Sequence, residues 1–91
     1  MIRLNCFVEV SAENRSAAIE AAKSLTAASL KQEGCVAYDT FESATRPTVF
    51  MICETWQDEK VLAAHAASAE FKQYVGEIEK LAKMKIEQFS F

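Results

Sequence analysis

Glycine and proline are scarce, with two glycines and one proline in 91 residues where average usage gives about 6 and about 5. Little of the chain is therefore linker or irregular loop. Basic charge is not in excess either. Ten Lys and Arg stand against 13 Asp and Glu, a net charge of −3, and a nucleic-acid partner would call for a basic stripe. A small anionic ligand remains compatible. No apolar run approaches the roughly 18 residues of a membrane span. Met1-Ile2-Arg3-Leu4-Asn5 has no basic segment followed by an apolar core, so it does not read as a signal peptide. One histidine and no C-x-x-C pair leave zinc without a ligand set. The lack of a G-x-G-x-x-G or a P-loop implies no nucleotide cofactor. The three cysteines, Cys6, Cys35 and Cys53, are odd in number and widely spaced. They read as reduced core thiols in a cytoplasmic protein.

What is there is a well-patterned globular chain, 51% apolar and 25% charged, read as one domain over residues 1–91. Residues 2–10 alternate, with Ile2, Leu4, Cys6 and Val8 on one face and Arg3, Asn5, Phe7 and Glu9 on the other, which predicts a strand. Ser11 or Asn14 caps a helix to about residue 32, with a buried stripe of Ala18, Ala22, Leu25 and Ser29, and Gly34 stops it. Strands follow at 35–42 and 48–56, joined by a hairpin at Ser43–Pro47. On the first of these, Val36, Tyr38 and Thr40 share a face. On the second, Val49, Met51 and Cys53 oppose Phe50, Ile52 and Trp56. Asp58 and Ser68 cap a short and a longer helix, the latter with a stripe of Phe71, Tyr74, Val75, Ile78, Leu81 and Ala82. Residues 84–91 read as a last strand.

Strand, helix, strand, strand, helix pair, strand is the split βαβ order of a ferredoxin-like α+β sandwich, a four-stranded antiparallel sheet with helices on one face. Its first and third strands are central. Both carry apolar side chains on both faces, so one apolar face lies bare. The expected cover is a second copy, through Ile2, Leu4, Cys6 and Val8 or through the opposite face of the third strand.

Three segments carry a family resemblance: Glu33-Gly34-Cys35-Val36-Ala37-Tyr38 where helix turns into strand, Cys53-Glu54-Thr55-Trp56-Gln57-Asp58 at the end of the third strand, and Ala64-His65 followed by Ser68-Ala69-Glu70-Phe71. In order and spacing the chain resembles the antibiotic biosynthesis monooxygenase family of dimeric α+β barrels, close to its small quinol monooxygenase-like members. The resemblance implies a cofactor-independent monooxygenase, with O2 and a small aromatic diol or quinol as substrates. The same scaffold also carries heme-degrading monooxygenases and an isomerase of a phosphorylated sugar, so fold does not fix function. Two departures stand out. Glu70 replaces a second histidine, and Tyr74 and Val75 stand where the heme branch has its ligand. No specific heme degradation is expected.

His65 has the one side chain with an ordinary pKa near 7 and is the candidate base; its ordinary role is a hydrogen-bonded core ring. Asn5 is the candidate donor to a substrate oxygen, or a side chain satisfied by backbone. Trp56, Phe71, Tyr74 and Tyr38 are candidate substrate-binding walls, each with core packing as its ordinary role. Glu54 shares a face with Trp56 and is either a buried base or the partner of Arg3 or a lysine. The small residues of the first helix either pack closely or leave a void over the sheet. Two other readings remain open: an isomerase of a small carbonyl compound, favoured by a polar pocket, and a non-catalytic dimeric binding or stress protein, favoured by a pocket too small for a ring or filled by His65 bonded into the core.

Overall fold

The computed structural model describes residues 1–91. In chain order it contains β1 (Ile2–Val10), α1 (Arg15–Ser29), β2 (Cys35–Glu42), β3 (Val49–Trp56), α2 (Glu59–Ala66), α3 (Ala69–Leu81) and β4 (Ala82–Ser90). The strands form one open antiparallel sheet in the order β2-β3-β1-β4, the ferredoxin-like arrangement that the element order predicts. In the register, Leu4 lies opposite both Glu54 and Gln88, and Cys6 opposite both Ile52 and Ile86.

The helices cover the face bearing Ile2, Cys6, Val8 and Val10 of β1 and Phe50, Ile52 and Trp56 of β3, all buried. The first of the two faces proposed for pairing with a second copy is thus the core itself. The uncovered face is the other one, with Asn5 and Phe7 beside Cys53 and Met51. Helix α1 buries Ala18, Ile19, Ala21, Ala22, Leu25 and Ser29. Its alanines permit close approach to the sheet: Ala18 and Ala22 are wholly inaccessible, so no void lies beneath them.

Two local features depart from simple periodicity. A bulge between Cys35 and Ala37 shifts the β2 register. It places Cys35 opposite Trp56, against the core, and leaves Val36 55% exposed instead of on the face of Tyr38. Helix α3 passes directly into β4 at Ala82, whose backbone is already extended, so Ala82 begins the strand rather than closing the helical stripe.

Candidate functional site

The site forms where the ends of α2 and β3 meet the start of α3. Asp58 starts α2 by accepting a hydrogen bond from Val61 N–H at 3.0 Å, and eight residues later the helix ends. Ser68 links the two helices: its hydroxyl donates to the His65 carbonyl at 2.7 Å and accepts from Phe71 N–H at 3.2 Å. The spacing of His65, Ser68 and Phe71 therefore has a mechanical reason. One serine fixes the backbone on which both rings stand.

His65 is 2% exposed. Its ring lies 4.4 Å from the Trp56 ring at a tilt of 33°, with Phe71 edge-on at 5.0 Å and Tyr38 edge-on at 5.7 Å. Nδ1 lies 2.6 Å from Oε1 of Gln32. Nε2 is buried without a hydrogen-bond partner, and Oε1 of Glu54 lies 3.9 Å from it. Period-2 alternation along β3 turns Glu54 to the helix side between Ile52 and Trp56, and Trp56 Nε1–H donates to Glu54 Oε1 at 2.9 Å. Arg3 is on the far face, donating to Thr55 Oγ1 at 2.7 Å. It is not the partner of Glu54.

The low-polarity surroundings displace each titration. Burial pushes His65 down to about 4. Burial raises Glu54, against the opposing hydrogen bonds of Trp56 and Tyr38. The Tyr38 phenol is held well above its usual range by burial and by the nearby Glu54. The same two causes bring the Cys6 thiol up to about 11. At neutral pH the ring is therefore uncharged. With the Gln32 oxygen accepting from Nδ1–H, Nε2 carries the free lone pair.

Next to this cluster is a cavity of about 220 Å³ whose walls include Leu4, Ile52, Leu62, Phe71 and Val75, with His65, Glu54, Tyr38 and Gln88 as its polar members. No lysine or arginine lines it. Of the residues singled out from sequence, His65, Glu54, Tyr38, Trp56 and Phe71 come together here. Two do not. Asn5 is on the uncovered face, where its Oδ1 accepts from the Cys53 thiol at 3.4 Å, because strand alternation turns it away from its neighbour Leu4. Tyr74 faces an open cleft between α1 and α3 with Ala17, Ser24 and Glu77. The sequence reading missed Gln32: it ran the first helix to about residue 32, whereas α1 ends at Ser29, and Gln32 lies in the turn that follows with no signal of its contact with His65.

The family model for antibiotic biosynthesis monooxygenase matches residues 1–77. Among solved structures, a conserved protein of unknown function and possible oxidoreductase from Bacteroides thetaiotaomicron is 68% identical, over 99% of this chain and 96% of that one, with a TM-score of 0.98. A conserved protein from Methanosarcina mazei is 27% identical over 97% and 89% of the two chains, with a TM-score of 0.92. SnoaB, a cofactor-independent oxygenase from Streptomyces nogalater, is 12% identical over 99% and 91%, with a TM-score of 0.89, a likeness of fold alone. No curated protein matches the chain.

Proposed function

Since the chain belongs to the antibiotic biosynthesis monooxygenase family, we propose that it is a cofactor-independent monooxygenase of a small, single-ring aromatic diol. The observation that carries this reading is the buried, unpartnered Nε2 of His65, a residue that also lines the apolar cavity. A positioned lone pair close to an apolar space is what deprotonation of a phenol requires. The cavity size selects among phenols. At about 220 Å³ it lies above the roughly 150 Å³ that admits benzene and below the roughly 300 Å³ at which drug-sized pockets begin. A hydroquinone fits this range better than a polycyclic phenol.

In the proposed reaction His65 Nε2 takes a phenolic proton, and the electron-rich phenolate reduces O2. One oxygen atom bonds to a ring carbon, and the other leaves as water. A hydroquinone and O2 thus give a hydroxyquinone and one water, with four electrons passing from the ring to oxygen. Glu54, 3.9 Å from Nε2, stabilises the imidazolium while it exists. Trp56, behind the histidine ring, and Phe71 exclude water. A cavity without a cation offers little to a phosphorylated carbonyl compound, which disfavours the isomerase reading. The proposal includes a homodimer formed through the uncovered sheet face, and a cytoplasmic location in keeping with three free thiols.

The test is oxygen uptake with a panel of hydroquinones and polycyclic phenols, without added metal or flavin. His65→Ala and His65→Gln should each lose about 10² to 10⁴ in turnover. The acid limb of kcat/KM should lie near pH 4, where burial puts this ring, and not in the ordinary histidine range that the sequence suggests. Wild-type turnover in both variants would remove His65 as the base. Titration with heme should give no tight one-per-subunit complex that is degraded under reductant. Tyr74, three residues after Phe71 on α3, faces the outer cleft and offers the cavity no ligand.

A further inference from the structure

His65 lines two different spaces. Nε2 lies 3.9 Å from Glu54, which is itself a wall of the apolar cavity. The other space is a polar, solvent-facing groove of about 490 Å³, lined by His65 itself with Gln32, Glu33, Gln57, Asp58 and Lys60. The ring belongs to both, and Gln32, a wall of the groove, is the one side chain bonded to it, at 2.6 Å from Nδ1. An imidazole has two neutral tautomers of similar energy, and the bond made by one nitrogen decides which is present. An amide oxygen can only accept, so its contact with Nδ1 selects the Nδ1–H form and leaves Nε2 as the basic atom.

We propose that Gln32 is a positioning residue, which fixes His65 in the Nδ1–H tautomer so that the lone pair is on Nε2, and which stabilises the imidazolium from the groove side once a proton has been taken at Nε2. Its value to catalysis rests on the base role proposed above for His65; its effect on the tautomer does not. The proton balance is simple. Substrate O–H gives its proton to Nε2, both ring nitrogens then carry hydrogen, and the Nδ1–H bond to Gln32 becomes charge-assisted and stronger. The groups that bear on the ring's charge are few. Glu54 of β3 faces Nε2, Tyr38 of β2 presents a ring edge, and α3 contributes the uncharged Phe71. Glu33, Asp58 and Lys60 belong to the groove on the Nδ1 side. No carboxylate bonds to Nδ1, so the amide orients the ring while raising its basicity less than a carboxylate would.

His65 is the one histidine in the chain, so histidine-selective 15N labelling gives a single, assigned pair of ring signals. In the wild type these should be a protonated Nδ1 and a bare Nε2. Gln32→Leu, which removes the acceptor, should shift the pair toward the opposite tautomer or a mixture. Turnover should fall by roughly an order of magnitude or more, as expected for a misplaced tautomer. Gln32→Glu, which keeps an acceptor and adds charge, should retain the Nδ1–H form and move the ring's titration upward. The acid limb of kcat/KM should move by the same amount. Ring signals and titration unchanged in both variants would overturn the proposal, whatever the activity. Altered signals in a protein that turns over no diol would leave the tautomer assignment standing and sink the monooxygenase reading instead.

Discussion

A histidine whose ring is almost inaccessible binds its proton reluctantly, and this has a consequence for stability with a definite sign. In the unfolded chain His65 titrates near 6.5; in the fold it does so at about 4. Between those values the unfolded state binds more protons, so the contribution of the neutral ring is full above about pH 6.5 and lost as pH falls through about 4. Glu54 acts in the opposite sense. Its folded pKa is raised, so its contribution is present at low pH and lost as pH rises through the folded value. Comparison with His65→Gln removes the ring and leaves Glu54 in place. Urea midpoints from pH 7 down to 4 should show the wild type losing about 1 to 3 kcal/mol relative to the variant; parallel curves would mean that the ring titrates normally. At this scale His65, Glu54 and Trp56 were legible because strand and helix periods put them on inward faces. For Asn5, alternation correctly set it against Leu4, but nothing in the pattern says which face the helices will cover. Tyr74 followed the helical stripe, yet one edge of that stripe meets α1 and only the other meets the cavity.

The turn between α1 and β2 shows how an element boundary supports the site. Gly34 has φ +79°, the left-handed region that disfavours residues with a Cβ. A Cβ there would also lie 2.6 Å from the Val61 side chain of α2. The turn and the first residues of α2 are thus in direct contact, and Gly34 accepts the Gln57 N–H at 2.9 Å, so the segment carrying Gln32 is pinned to the segment carrying His65. Gly34→Ala should cost about 2 kcal/mol or more, roughly 10 °C in Tm for a domain of this size. Gly76, in the middle of α3 with nothing near its Cβ position, provides the contrast: Gly76→Ala should stabilise by up to about 1 kcal/mol through helix propensity. Thermal denaturation of the pair checks both, and a neutral Gly34→Ala would refute the close-approach argument. Caps and stops such as Asp58, Ser68 and Gly34 were readable because each has a chemical signature at its boundary. The β2 bulge was not, since one extra residue in a strand changes no residue type, and it reversed the facing of Cys35 and Val36. The beginning of β4 was also hidden, because Ala82 continues the helical spacing while its backbone has already become extended.

For the molecule as a whole, the sheet is covered on one face only. Across the other runs a row in register, Phe41 beside Met51 beside Phe7, in which Phe7 is 39% and Phe41 52% exposed; Phe89, further along the same face, is 50% exposed. Aromatic side chains grouped in this way are costly to leave in water, and a self-complementary pairing about a twofold axis covers them with the fewest new requirements. Two-sided apolarity was the part of this that sequence carried; choosing the face needed the helices in place. Light scattering at micromolar concentration should give about twice the 10.1 kDa chain mass. Phe7→Glu, which puts a charge in the middle of the row beside Lys85, should give a folded monomer. The cysteines make the test specific to the face. Cys6 is buried under the helices with its thiol raised to about 11, so it should resist a polar thiol reagent in both proteins. Cys53 is only half-buried and belongs to the uncovered face beside Asn5. It should be protected in the wild-type dimer and should label quickly in Phe7→Glu. Rapid labelling of Cys53 in a wild-type protein of dimer mass would mean that the copies meet elsewhere, and a wild-type mass of one chain would mean that this row remains in water.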